Sequence, residues 1–268
     1  MLKYKKASII IELRMGNTHL GREGITIGNE RNTEMSIRAK LLEEMRNGIF
    51  SQCDKLPRET LLSEKLGISR TQLRDVLGAL EQEGYVTRRL GVGTLINRHV
   101  LSVKSRMDIE AEILDIIRNN GYEPEVVFLD AKEEDAQEDV AEKLGISKGT
   151  PIIRVSKLCL ADGKPALYFE DMLDAGLVKE NYSKEDFKHP IFRFLEEKCN
   201  TKAYMDLTQL KAVLADADTA KILDVPQGAP LLHMDEVDYD IDGNIVFYSR
   251  QYFANGMFEQ TVLRKRLY

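Results

Sequence analysis

Cysteine is scarce in this chain of 268 residues: there are three, Cys53, Cys159 and Cys199, with no CxxC pair and no Cys/His cluster at metal-ligand spacing. So few thiols, so unevenly spread, exclude a disulfide framework and favour a reduced, cytoplasmic setting. Long apolar runs are missing too. The early run "ASIII" before Glu12 is too short to span a bilayer and lacks the length and cleavage pattern of a signal peptide, so no membrane partner is expected. There is no glycine-rich phosphate loop. The four histidines, His19, His99, His189 and His233, are scattered, with no carboxylate or cysteine at a spacing that suggests a triad or a metal site. The chain is therefore not read as an enzyme, and no catalytic residue, cofactor or metal is expected.

What is present is ordinary globular material, 43% hydrophobic and 31% charged, enough for one large or two moderate domains. The net charge of −6 is unevenly placed. Residues 36 to 99 hold 11 Lys/Arg against 8 Asp/Glu, whereas residues 100 to 268 hold 21 against 32. A small basic module joined to an acidic one can still bind phosphate locally, because salt screens the repulsion beyond about 10 Å.

Within the basic part, Ile37, Leu41 and Met45 recur at a spacing of four and Gly48 follows as a stop, which predicts a helix with one buried face. A short second helix is expected through Leu61, Leu62 and Leu66, ended by Gly67. Ser69 caps a third that buries Leu73, Val76, Leu77 and Leu80 and stops at Gly84. Two helices joined by a tight glycine-containing turn make a helix-turn-helix, whose second helix presents its first turn to the major groove. Ser69, Arg70, Thr71 and Arg74 occupy that turn. Arginine suits it because its planar fork can donate two hydrogen bonds to guanine, worth about 1–3 kcal/mol of discrimination. "YVTRRLGVGTLI" then reads as a hairpin wing, with Gly91 and Gly93 in the turn and Arg88 and Arg89 near the tip, placed for phosphates or the minor groove. Arginine at a helix start works against the macrodipole, so solvation alone explains this placement poorly.

The run "LPRETLLSEKLGISRTQLRDVLGALEQEGYVTRRLGVGT" resembles the winged helix-turn-helix of the GntR family of bacterial transcription regulators in order and spacing. The resemblance implies double-stranded operator DNA as a partner. Thr60 stands where the family commonly has an arginine, with Arg58 two residues earlier, and Leu90 replaces a polar wing-tip residue. Both departures bear on operator preference rather than on DNA binding itself.

Beyond a polar linker at 100–106, a helix is suggested by Ile109, Ile113 and Ile116, and then a unit repeats. "VAEKLGISKGTPIIRVSKLCLADGKPALYFEDML" and "TAKILDVPQGAPLLHMDEVDYDIDGNIVFYSRQYF" share a short helix, a Gly-x-Pro entry, a strand, an Asp-Gly turn and a second strand. Two such units imply one α+β domain with a mostly antiparallel sheet. The pattern resembles the UTRA effector-binding domain, of chorismate-lyase-like fold, which accompanies this helix-turn-helix in the HutC subfamily. The expected organisation is an extension at 1–35, a winged helix-turn-helix at 36–99, the linker, and a UTRA effector-binding and dimerisation domain at 107–268.

Alignment to the sugar-phosphate contacts of UTRA domains gives Lys157, Cys159, Phe169, Pro190, Phe192, Phe247 and Phe253, of which only Lys157 is charged. Such a pocket favours an effector with an apolar or aromatic part and one anionic group. Two further readings stay open: a closed core of ordinary aromatics, or a register off by one, which would bring Arg154, Glu170, Tyr248 and Arg250 inward. Arg154 is kept among the effector candidates. The whole is expected to act as a homodimer on a palindromic operator, released or re-oriented by a small-molecule effector. The extension is either an arm reaching DNA with Lys3, Lys5 and Lys6 or a misassigned start.

Overall fold

The apolar spacing at Ile37, Leu41 and Met45 lies on α1 (Ile27–Arg46) in the computed structural model, and all three side chains are buried. The structure describes residues 27–109, 113–254 and 256–266, with side chains from residue 36 onward. α1 thus begins inside the stretch read as an extension, while Lys3, Lys5 and Lys6 lie outside the described residues. α2 (Glu59–Leu66) ends at Gly67, whose φ of 69° is the left-handed cap that a side chain would resist. Leu62 is buried there, but Leu61 is exposed. α3 (Arg70–Gln82) starts from a complete capping box: the Ser69 hydroxyl accepts the Gln72 N–H, and the Gln72 side chain accepts the Ser69 N–H. Leu73, Val76, Leu77 and Leu80 are all fully buried, and α3 packs on α1, α2 and the wing. Arg38 locks α1 to the end of α3 by donating to both carboxylate oxygens of Glu83, at 2.6 to 3.1 Å.

The wing is β1 (Val86–Arg89) against β2 (Gly93–Ile96), with Arg89 opposite Gly93. Gly91 and Gly93 have φ of 75° and 108°, which explains glycine at both. The chain divides into two units, 1–96 and 97–268. The stretch expected to be a polar linker opens with a helical turn, α4 (Arg98–Leu101), in which Val100 and Leu101 are buried.

The second unit contains α5 (Ile113–Asn119), β3 (Pro124–Asp135), α6 (Glu138–Leu144), β4 (Pro151–Ala161), β5 (Lys164–Asp174), α7 (Ile191–Phe194), β6 (Met205–Leu214), α8 (Ala217–Leu223), β7 (Pro230–Tyr239) and β8 (Ile245–Ala254). The strands form one six-stranded antiparallel sheet in the order β3-β4-β5-β8-β7-β6. The sequence repeat is visible as two halves meeting at β5 and β8, and each half also carries a leading strand, β3 or β6, that the repeat did not reveal. The same backbone bonds recur in both: Gly149 N–H donates to Ala136 and Ala136 N–H to Thr150, as Gly228 does to Ala215 and Ala215 to Ala229. The hairpin turns differ. Asp162 and Gly163 both have positive φ, the mark of a two-residue type I′ turn, whereas the other loop is wound around Asp240, which accepts the N–H groups of Asp242 and Asn244.

α6 and α8 cover one face of the sheet, burying Leu144 against Met172 and Tyr248, and Leu223 against Tyr168. The other face is covered at one end by α5, with Ile117 packed against Leu167 and Phe253. At the other end the 182–199 segment, including α7, packs Phe187 and Phe194 against Val155 and Phe247. Among the described residues no helix is long and apolar enough to cross a membrane, and no group of His, Cys, Asp and Glu could hold a metal ion.

Candidate functional site

Arg58, Thr60, Ser69, Arg70, Thr71, Arg74, Arg88, Arg89 and Gly91 are all exposed, with none of their side chains consumed by the core. The capping box fixes the start of α3 and so aims Arg70, Thr71 and Arg74 outward. Arg74 donates to Glu59 at 2.8 Å and Arg88 to Glu81 at 2.7 Å. Exposed ion pairs of this kind contribute about 0–1 kcal/mol, so they hold the guanidinium groups in place yet yield readily to a phosphate. Arg58 sits just ahead of α2, exposed like Thr60, and Leu90 is fully exposed at the wing tip.

Sequence reasoning missed one member of this surface. The segment at 54–56, between α1 and α2, pairs with β2: Ile96 N–H donates to Asp54 and Leu56 N–H to Thr94, both at 2.9 Å. Lys55 then reaches across the turn to donate to the Val92 carbonyl, passing so close to Gly93 that a Cβ there would meet its side chain at 2.6 Å. A lysine two residues before a proline carries no signal of this in the sequence.

In the second unit, the sheet face between α5 and α7 holds a half-open cavity of about 420 Å³, within the range of small-molecule sites. Lys157, Phe169, Pro190, Phe192, Phe247 and Phe253 line it. Arg154 does not. Alternation along β4 puts it on the opposite face from Lys157, the face that α6 and α8 cover, where it donates to Glu134 at 2.6 Å and to Glu170 at 3.2 Å. Cys159 shares the face of Lys157 but is fully buried beside Ile117 and behind Phe253, so that it does not reach the cavity wall, and burial pushes its thiol up to about 12. Glu170, Tyr248 and Arg250, the other residues a slipped register would bring inward, are likewise absent from the wall.

The cavity is also more polar than the aligned positions suggested. Asp171, Ser249, Glu236, Thr208, Asp206 and Gln251 line it alongside Lys157. The Lys157 ammonium is buried, donates to the His189 carbonyl at 2.6 Å and lies 5.9 Å from the centre of the Phe169 ring. Burial lowers its pKa, opposed by the nearby Asp171 carboxylate. Asp171 is buried as well, accepts from the Ser249 hydroxyl at 2.9 Å, and is pushed up to about 6 by burial against the opposing pull of Lys157 and Ser249. These acids were not found because the second hairpin repeats the first in pattern but not in polarity, so only a strand register, not a motif, brings them together. At one end Arg106, Met107 and Gln260 join the wall. Here the start of the unit is stitched to its C-terminal segment: Met107 N–H donates to Thr261 at 2.9 Å and Thr261 N–H to Ser105 at 3.1 Å.

A winged helix-turn-helix with exposed arginines at its reading end, joined in one chain to a sheet domain holding a ligand-sized cavity, defines a DNA-binding regulator with a sensor domain. Residues 33–96 match the bacterial regulatory proteins of the gntR family, and residues 119–259 match the UTRA domain, more than half of the chain. The chain belongs to the UTRA-domain regulators of the gntR family. It is 27% identical over 220 residues to the HTH-type transcriptional regulator RB1450 of Rhizobium meliloti, covering 78% of this chain and 85% of that one. To the HTH-type transcriptional repressor NagR of Bacillus subtilis it is 23% identical over 217 residues, covering 81% and 88%. The fold is that of YydK from Bacillus subtilis, with a TM-score of 0.71 at 19% identity over 87% of this chain and 99% of that one. All three carry the name of a transcriptional regulator or repressor, RB1450 as an uncharacterized one and YydK as a possible one.

Proposed function

We propose that this protein binds a palindromic operator as a homodimer and represses transcription until a small-molecule effector enters the cavity of the second unit. Base reading is assigned to Arg70 and Arg74 from the first turn of α3, with Ser69 and Thr71 beside them, and backbone contacts to Arg58, Arg88, Arg89 and the Gly91 N–H. Lys55 steadies the wing. β6 supports the dimer: it is an edge strand that exposes Met205, Leu207, Leu210 and Leu214, the last 71% exposed, and an apolar edge of this length calls for a partner.

The observation that carries the regulatory part is the position of Arg106 and Met107. They line the cavity, and they belong to the segment that leads back toward the DNA-binding unit. A ligand that shifts this stitched segment changes how two reading heads are held, and loss of simultaneous engagement of two half-sites removes most of the avidity. The test is a gel-shift titration on a duplex selected by the protein from random sequence. Arg70→Ala is expected to lower affinity for that duplex by about 5–150-fold while the melting temperature stays unchanged, and undiminished affinity would sink the assignment.

A further inference from the structure

The polar residues of the cavity floor are in register. Asp171 on β5 lies opposite Ser249 on β8, Ser249 opposite Glu236 on β7, and Glu236 opposite Thr208 on β6, so one polar row crosses four strands. Side chains directly opposite in a sheet are about 4.5–5.5 Å apart, which makes the row continuous. Its hydroxyl hydrogens are committed. Ser249 donates to Asp171 Oδ1, and the single Thr208 hydrogen faces Asp206 at 2.6 Å and Glu236 at 3.2 Å. The row therefore offers acceptors to whatever enters.

Two valencies are left open. Asp171 Oδ2 is buried with no hydrogen-bond partner, and such an orphan in a folded protein calls for an explanation. Lys157 spends one ammonium hydrogen on His189 and has two more. Because Lys157 is opposite Phe169 and Val155 opposite Asp171, the two charged groups are diagonal neighbours on one face, yet they form no direct ion pair. Buried charges left apart are costly unless something bridges them. A lone amine would serve Asp171 and leave Lys157 unmatched, and a lone acid would do the reverse. A sugar phosphate would set a dianion among Asp171, Glu236 and Asp206.

We infer that the effector is a zwitterion of the α-amino-acid type with an apolar side chain, its ammonium held by Asp171 and its carboxylate by Lys157. Its side chain lies along the apolar wall of Ile113, Ile116, Phe169, Phe192 and Phe253. This deepens the proposed function and rests on it, since it takes the cavity to be the effector site.

The experiment is a thermal-shift and calorimetric titration of the full chain with the twenty protein amino acids, accompanied by phenethylamine, 3-phenylpropionate and glucosamine 6-phosphate. An apolar amino acid is expected to raise the melting temperature and to bind at least about 10-fold more tightly than the amine or the acid that lacks one of its charges. Asp171→Asn should erase its advantage over the acid and Lys157→Met its advantage over the amine. The comparison of ligands on the unaltered protein stands even if either variant fails to fold. Equal binding of the amine or the acid, tighter binding of the sugar phosphate, or no response to any amino acid would overturn the inference. A gel shift in parallel separates the two levels: DNA binding that persists while amino acids fail condemns the effector class alone, and absent DNA binding condemns the regulator reading.

Discussion

The two units place their polar side chains in opposite ways. In the first, the arginines assigned to DNA stand in solvent, Arg74 and Arg88 lightly tethered to Glu59 and Glu81, and the buried positions are mostly apolar. In the second, Lys157 and Asp171 are each 2% exposed, and Asp171 carries an oxygen with no partner. A surface built for a polyanion needs charges that exchange partners cheaply, because its ligand arrives with its own dense charge. A cavity built for a small molecule needs fixed, dry groups whose unsatisfied valencies only the right ligand completes.

The sharpest way to break this comparison is at the exposed end. Arg70→Ala and Arg74→Ala are each expected to lower affinity for a selected duplex by about 5–150-fold, at a cost of about 1–3 kcal/mol per lost base contact, with no change in melting temperature. Fluorescence anisotropy at fixed salt measures it. A variant that melts earlier would show that these arginines belong to the fold.

At the buried end the effect should appear in stability and depend on pH. Burial pushes the carboxyl of Asp171 up to about 6, above the usual carboxylate range, so the folded state holds its proton more strongly than the unfolded chain. Its stabilising contribution is present below the unfolded value and is lost as pH rises through about 6. A shift of this size corresponds to something on the order of 3 kcal/mol. Asp171→Asn should therefore be worth more at pH 7 than at pH 4, relative to the unaltered protein, when both are melted across that range. A difference that does not change with pH contradicts the burial of an ionisable group there.

Arg154 sharpens the contrast from the middle ground. It is largely buried between Glu134 and Glu170, and Arg154→Met should destabilise the second unit by about 1–3 kcal/mol while leaving ligand affinity unchanged. Loss of ligand binding without loss of stability would return Arg154 to the cavity. The smallest effect is expected from Ser69→Ala, which removes one half of the capping box. About 1 kcal/mol of stability in the first unit, seen by chemical denaturation, should go with it, and DNA affinity should fall only modestly.

The difference between the units also decided what the sequence could reveal. The reading head was legible because its signals are local: Gly67 as a left-handed cap, Ser69 as an N-cap, the stripe from Leu73 to Leu80, and Gly91 and Gly93 in the turn. The repeat was legible for the same reason, through Gly149 and Gly228 with the prolines that follow. The leading strands were not, because β3 and β6 are edge strands whose exposure shows no clean alternation. Nor were Asp171, Ser249, Glu236 and Thr208, which share a site only through cross-strand register over more than sixty residues. Arg154 was placed wrongly by one step of strand alternation, and Lys55 was missed because its partner is a backbone carbonyl.

The coupling of the two units is the central claim, and one measurement tests it most directly: the dissociation constant for a selected duplex with and without a saturating cavity ligand. The unaltered protein is expected to change affinity by about 5–150-fold, the usual range of allosteric coupling, and Asp171→Asn to show little change at the same ligand concentration. A bound ligand that leaves the duplex affinity of the unaltered protein untouched would contradict the account.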